Sequence, residues 1–269
     1  MQPCLSEVTT LSATFEEDVA AYTGAGWPAM EVWLTKLETH LQTHSPVDTR
    51  ELLAEKQIKL AAASYQGGLL LSQGDARKAH FDHFKKRLQL CQEFQIPVML
   101  LAADFAQRVE PTAIERAIVS LKQAAQWAAG FDVRLALEFR GGDTFCSTLD
   151  TAISMVEQCG EINVGVNLDW FHYYKGASKP EDLERLTTGN LAFVQICDVA
   201  GIPRELMTDA DRVLPGDGDF RIDALLAALR KIGYAGNISV EVMNPTLWQA
   251  KPTQVAELAL TALQRVLPY

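Results

Sequence analysis

Val164-Gly165-Val166-Asn167-Leu168-Asp169-Trp170-Phe171-His172 is the stretch on which the reading of the fold turns. A short run rich in valine and leucine suits a parallel strand covered on both faces. Asp169 stands at its last position and His172 just past its end. Parallel strands of α/β proteins carry their chemistry at the carboxyl end, where loops open onto a shared cleft. Three other strand-like runs end in the same manner, so the pattern is a recurrence rather than a single coincidence.

Working outward, strand-like and helix-like segments alternate along the chain. The pattern predicts strands over Pro3 to Val8, Ala29 to Trp33, Leu60 to Tyr65, Val98 to Ala103, Val133 to Leu137, Asn163 to Asp169, Ala192 to Cys197 and Ile238 to Val242. Helices are predicted from about Thr14, then over Asp48 to Gln57, Asp75 to Gln95, Pro111 to Ala129, Leu149 to Gln158, Pro180 to Leu186, Phe220 to Ile232 and Pro252 to Val266. Glu16 and Glu17 suit a first helical turn, and Pro111 suits a helix start. Eight strands with a helix after each predict an α/β fold of the (β/α)₈ TIM-barrel class, a single domain over residues 1–269. A doubly wound open sheet is the rival, but the first strand is followed by Thr9-Thr10-Leu11-Ser12 and not by a glycine-rich turn.

Bulk composition narrows the partners. A net charge of -10 predicts a soluble protein that repels nucleic acid and anionic membrane surfaces. Five cysteines, odd in number and without CxxC spacing, argue against a disulfide scaffold or thiolate zinc site and fit a reducing cytoplasm. Residues 1–10 lack a secretory signature, and no apolar run approaches the roughly 20 residues of a membrane helix. The expectation is a cytoplasmic protein acting on a small molecule, with no nucleic-acid and no membrane partner. Apolar outer helices leave a homo-oligomer open.

Glu138, Asp169, Gln195 and Glu241 fall at or near the carboxyl ends of predicted strands five to eight. Three carboxylates brought together repel unless protonated or bound to a cation, so a divalent metal resolves the conflict. Gln195 would add a neutral carbonyl oxygen. An all-oxygen set suits Mn²⁺ or Mg²⁺ better than Zn²⁺ or Co²⁺. A lone strand-end acid is commonly just a helix cap or an arginine partner, but four on successive strands make that reading poor. Glu31, Gln66 and Asp104 end strands two to four and could line the substrate side; Arg140 is a further contact candidate. Arg212 could clamp a substrate oxyanion or hydroxyl, or merely pair at the surface with Asp209 or Asp211. Pro215-Gly216-Asp217-Gly218 reads as a turn. His80 with His83, and His40 with His44, have spacings that could chelate zinc, but both read as solvated helix faces. Trp33 and Trp248 read as packing or pocket walls.

The set Leu137-Glu138, Leu168-Asp169-Trp170-Phe171-His172, Phe193-Val194-Gln195-Ile196-Cys197-Asp198, Leu214-Pro215-Gly216-Asp217-Gly218 and Ser239-Val240-Glu241 resembles the xylose isomerase-like TIM-barrel superfamily. It is most similar to the sugar phosphate isomerase/epimerase branch, which also holds inosose dehydratases, hydroxypyruvate isomerases and 3-dehydroshikimate dehydratases. The likeness is strong over residues 133–245 and rests on βα rhythm before that. It implies metal ligands at Glu138, Asp169, Gln195 and Glu241, and a substrate-contacting, acid/base role for His172. Many relatives carry histidine where Gln195 stands; glutamine there is similar to some dehydroshikimate dehydratases. The implied activity is isomerisation or epimerisation of a sugar-like α-hydroxycarbonyl compound through a metal-stabilised enediolate, with Glu138 and Glu241 moving the α-proton. The alternative is a dehydratase of inosose or 3-dehydroshikimate type using the same groups. A nuclease of the endonuclease IV type would need several strand-end histidines, and only His172 is one. A non-catalytic binding protein would have no use for the ligand set.

Overall fold

Eight β-strands alternate with helices in the computed structural model, which describes residues 1–267. In chain order they are β1 (Gln2–Ser6), α1 (Phe15–Ala25), β2 (Ala29–Trp33), α2 (Leu34–His40), α3 (Pro46–Lys56), β3 (Lys59–Gln66), α4 (Gly74–Glu93), β4 (Val98–Ala102) and α5 (Pro111–Ala129). There follow β5 (Arg134–Glu138), α6 (Leu149–Cys159), β6 (Val164–Asp169), α7 (Trp170–Lys175), β7 (Leu191–Ile196), α8 (Ile222–Lys231), β8 (Asn237–Val240) and α9 (Pro252–Val266). The strands succeed one another in sequence order round a closed barrel. Pairing is parallel between β1 and both β2 and β8, and between β5 and both β4 and β6. This is the (β/α)₈ architecture that the alternation predicts.

Local chemistry accounts for the elements. Pro111 and Pro252 open α5 and α9 at a position where the missing N–H costs nothing. Thr14 caps α1 in a reciprocal box with Glu17, and Gly26 closes it at φ 94°. All six residues of β6 and all six of β7 are buried, which is why their sequences lack alternation.

Several boundaries differ from the sequence reading. The first strand ends at Ser6, and Glu7–Thr10 form a 3₁₀ turn. Pro180–Arg185 is likewise 3₁₀ and not an α-helix. Glu241 follows β8 and is not within it. The bounds of α2, whose end the sequence reading marks only by His40 and His44, and the existence of α7 are new: each starts on the residue after a strand, with Trp33 and Asp169 as their N-caps and no connecting loop.

Two groups of elements make up the chain: Met1–Ala63 with the segment from Gln195 onward, and Ser64–Val194. In the first, a buried polar knot lies behind β1 and β2. Glu7 Oε2 accepts the Trp33 N–H at 2.7 Å, and Asp18 pairs with Lys36 at 2.5 Å. Lys36 also donates to the carbonyls of Glu7 and Thr10, and Thr10 Oγ1 donates to Asp18. Burial first, then the Asp18 charge, pushes the Glu7 carboxyl well above its ordinary value of 4.5. In the second, the loop after β5 presses against the end of α7. A Cβ on Gly176 would lie 1.6 Å from the Ser147 carbonyl oxygen, and one on Gly141 would lie 2.5 Å from the Gly176 nitrogen. Only bare backbone fits there.

Gly176→Ala is therefore expected to cost about 1–3 kcal/mol by overpacking, read as a lowered urea midpoint at unchanged slope. Glu7 keeps its proton in the fold at pH values where the unfolded chain has lost it. Its contribution is complete below 4.5 and fades as pH rises through the raised folded value. Glu7→Gln should flatten the decline in stability between 4.5 and the raised folded value, measured as urea midpoints across a pH series.

Candidate active site and metal centre

Chemistry-bearing side chains gather at strand ends in two clusters, one in each group of elements. In Ser64–Val194, Glu138 ends β5 half-buried, and Asp169 ends β6 with no exposure. Asn167 Nδ2 donates to Glu138 Oε1 at 2.9 Å and so turns that carboxylate. Asp169 has two tasks: Oδ1 caps α7 by accepting the Phe171 N–H at 2.9 Å, while Oδ2 lies 3.6 Å from His172 Nε2. The cap fixes the acid on the helix axis, and α7 then brings the buried His172 back over it. Donor atoms of Glu138, Asp169 and His172 all lie within 4.8 Å of one another. Two carboxylates and an imidazole so close are a group able to hold a divalent cation. Buried Phe139, Trp170 and Phe171 flank it; Trp170 stacks on Tyr173 at 4.3 Å, and Phe171 meets His172 edge-on at 5.3 Å. Sequence reasoning gives His172 a substrate-contacting, acid/base role; the geometry adds it to the metal-competent group.

In the other group, Gln195 sits inside β7 with no exposure. Its Nε2 donates to Glu31 Oε1 at 2.9 Å and to Glu241 Oε1 at 2.8 Å. Both amide hydrogens are committed to carboxylates, so the amide has one orientation. Glu241 Oε2 accepts from Arg212 Nη1 at 2.9 Å. Arg212 Nη2 and Nε reach Asp209 Oδ1 at 2.6 and 3.1 Å, and Nη1 lies 3.9 Å from Cys197 Sγ. Two carboxylates, Glu241 and Asp209, thus share one guanidinium, which is only 1% exposed.

Arg212 corrects one expectation. It does pair with Asp209, but the pair is not a surface one: the guanidinium is buried and bridges Asp209 to Glu241. Glu31 is not an open pocket wall but a buried partner of Gln195. Among the remaining candidates, Gln66 donates to the Gly67 carbonyl at 2.7 Å, and Asp104 accepts the Gly68 N–H. Both hold the turn after β3, with Asp104 itself at φ 57°. Arg140 is half-buried, its backbone N–H bonded to Cys146 O at 3.2 Å. Trp248 Nε1 donates to Val8 O at 2.8 Å, a packing role, and Trp33 caps α2. His80 bonds Ser72 through Nδ1 and His83 is exposed, as an outer helix face requires. His40 and His44 depart from expectation: His40 is buried, and the two rings stack at 4.2 Å.

Asp198 was overlooked. It is 1% exposed just beyond β7, and its oxygens accept the N–H groups of Val199, Gly216 and Phe220 at 2.9, 3.1 and 2.9 Å. This one carboxylate pins the Pro215–Gly218 turn, and with the Asp198–Val213 backbone bridge it fixes the segment carrying Arg212. Its position at a strand end was visible in the sequence, but its partners lie up to 22 residues away.

Fold and donor set together define a barrel enzyme with side chains able to hold a cation at its strand ends. The chain belongs to the xylose isomerase-like TIM barrel family, whose model matches residues 19–266. It is 26% identical over 264 residues to the inosose isomerase of Halalkalibacterium halodurans, covering 96% of this chain and 94% of that one. It is 25% identical over 258 residues to the 3-dehydroshikimate dehydratase of Pseudomonas aeruginosa, covering 94% of this chain but 40% of that longer protein. The crystal structure of IOLI protein with a binding zinc atom superposes with a TM-score of 0.93 at 25% identity, covering 99% of this chain and 98% of that one.

Arg212→Met should leave buried carboxylates unmatched and cost about 3–5 kcal/mol. The loss is read by urea unfolding, and adding Glu241→Gln in the same chain should recover part of it.

Proposed function

We propose that the chain, acting as one domain over residues 1–269, is a divalent-metal-dependent isomerase or epimerase of a sugar-like α-hydroxycarbonyl compound. Glu138, Asp169, Gln195 and Glu241 would hold the ion. The observation that carries the reading is the grouping of Glu138, Asp169 and His172 donor atoms within 4.8 Å of one another at the ends of β5 and β6. The Gln195 amide, turned by its bonds to Glu31 and Glu241, supports the same conclusion. The oxygen-rich set favours Mn²⁺ or Mg²⁺, with Zn²⁺ or Co²⁺ as substitutes. When bound, the ion supplies Lewis-acid polarisation of the substrate carbonyl and stabilises charge on its oxygen.

The protein's own groups do the rest. Glu138, turned by Asn167, and Glu241, turned by Gln195 and Arg212, would remove and return the α-proton. His172 would contact a substrate oxygen and exchange a proton with it, its ring positioned by α7 beside Asp169. Arg212 serves by orienting Glu241. Arg140, Gln66, Asp104 and Glu31 remain candidates for the substrate side, the last three mainly through the turns and amide they fix. The likeness to inosose isomerase points to a cyclic polyol ketone as the substrate class. The likeness to 3-dehydroshikimate dehydratase supports a second reading, in which a β-hydroxyl leaves after proton abstraction.

The acidic charge and five free buried cysteines support a cytoplasmic enzyme of small molecules with neither nucleic-acid nor membrane partners. Among the described residues no helix is long and apolar enough to cross a membrane.

Glu241→Gln is expected to lower turnover by about 10²–10⁴-fold while far-UV circular dichroism stays unchanged. Chelator should abolish wild-type turnover and Mn²⁺ restore it. Assays with inososes, keto-sugars and 3-dehydroshikimate separate the two outcomes: isomeric product supports the first reading, an aromatic product the second. Full activity in Glu241→Gln, or in metal-free protein, would overturn both.

A further inference from the structure

We infer that the protein carries a second divalent-cation site, formed by Glu16, His40 and His44 away from the strand-end clusters. Donor atoms of the three residues lie within 4.8 Å of one another. Glu16 stands in the first turn of α1, His40 ends α2, and His44 follows four residues later. The spacing lets two imidazoles share one face, a recurrent arrangement for transition-metal binding.

Hydrogen bonds fix the tautomer of each ring. Thr49 Oγ1 donates its single hydrogen to Ser45 O at 2.9 Å, so the 3.1 Å contact with His40 Nε2 has the ring nitrogen as donor. The lone pair of His40 is therefore on Nδ1. His44 Nδ1 lies 3.2 Å from the His40 carbonyl, which can only accept, so Nδ1 carries the hydrogen there as well. Thr43 Oγ1, at 3.0 Å, buttresses the same nitrogen. The lone pair of neutral His44 is then on Nε2, and Nε2 faces Glu16 Oε1 at 3.2 Å. Two acceptors confront each other and require a cation between them, either a proton or a metal ion.

A proton would place an imidazolium against the parallel His40 ring, 4.2 Å away at an interplanar angle of 6°. Imidazole lone pairs lie in the ring planes, so a metal ion takes all three once the His44 ring turns out of its parallel stack on His40. Each imidazole then gives its other nitrogen to an oxygen partner, the outer-shell arrangement that orients metal-binding histidines. Tetrahedral zinc donors stand about 3.4 Å apart. His40 is buried and fixed, whereas Glu16 and His44 are 52% and 40% exposed and can rotate inward to close the set. The three residues also line a cavity of about 430 Å³ together with Phe15, Trp33 and Lys36, which leaves a fourth position for water. Two nitrogens and one carboxylate select Zn²⁺, Co²⁺ or Ni²⁺ over Mg²⁺, a preference opposite to that of the oxygen-rich strand-end set. The ion would clip the start of α1 to the segment after α2.

Equilibrium dialysis of chelator-treated full-length protein against Zn²⁺ tests the assignment, with Co²⁺ as an optical probe. Wild type should bind one equivalent more than His44→Gln or Glu16→Gln, or bind it at least about tenfold more tightly. The Co²⁺ form should show visible d–d bands of tetrahedral nitrogen ligation that both variants lose. Both substitutions lie on exposed side chains, and circular dichroism verifies their folds. Equal stoichiometry and affinity in wild type and variants, with the same Co²⁺ spectrum, would overturn the proposal.

Discussion

Like charges held close together at the ends of strands are the constraint on which the rest depends. Asp169 and Glu31 have no exposure, Glu241 has little, and Glu138 is half-buried. Burial without compensation would drive such carboxylates to bind protons or would unfold the region. The molecule meets this with donors aimed at individual oxygens: the Gln195 amide between two glutamates, the Arg212 fork between Glu241 and Asp209, the Asn167 amide on Glu138, and the α7 backbone on Asp169. Each bond removes one rotational freedom from a catalytic candidate. Compensation and orientation are accordingly the same set of contacts.

Support for that arrangement comes from parts of the chain with no chemistry of their own. The glycines at 141 and 176 let two backbones touch, and this contact sets where α7, and hence His172, ends. Asp198 gathers three N–H groups and fixes the turn after β7, from which Arg212 reaches Glu241. Thr9 Oγ1 accepts the Val242 N–H at 3.0 Å and donates to Val240 O, holding the chain straight on either side of Glu241. None of these residues belongs to the proposed site, yet each fixes a segment that carries one of its members.

Much of this was legible in the sequence, for identifiable reasons. Pro111 and Pro252 mark helix starts to the residue, and the largely apolar runs of β6 and β7 announced a covered parallel sheet. Strand-end acids were legible because strand ends are. What stayed hidden was pairing at a distance. Nothing near Arg212 signals that Glu241, 29 residues on, is its partner in preference to water. Nor does the sequence show that Thr49 would bury and orient His40, which turned an apparently solvated histidine pair into a fixed one. The start of α2 and the whole of α7 are hidden because the N-cap is itself the last residue of the preceding strand, so no loop separates strand from helix.

The absence of any spacer between β6 and α7 has an evolutionary consequence. Loops that follow other strands can lengthen, shorten or exchange residues and so retune selectivity while the barrel persists. After Asp169 there is no loop to vary: one inserted residue would rotate the helix by about 100° and swing the imidazole away from its acid. Diversification of this scaffold should therefore be written in the segments after β3 and β4, with the Asp169–His172 junction passed on unaltered in length.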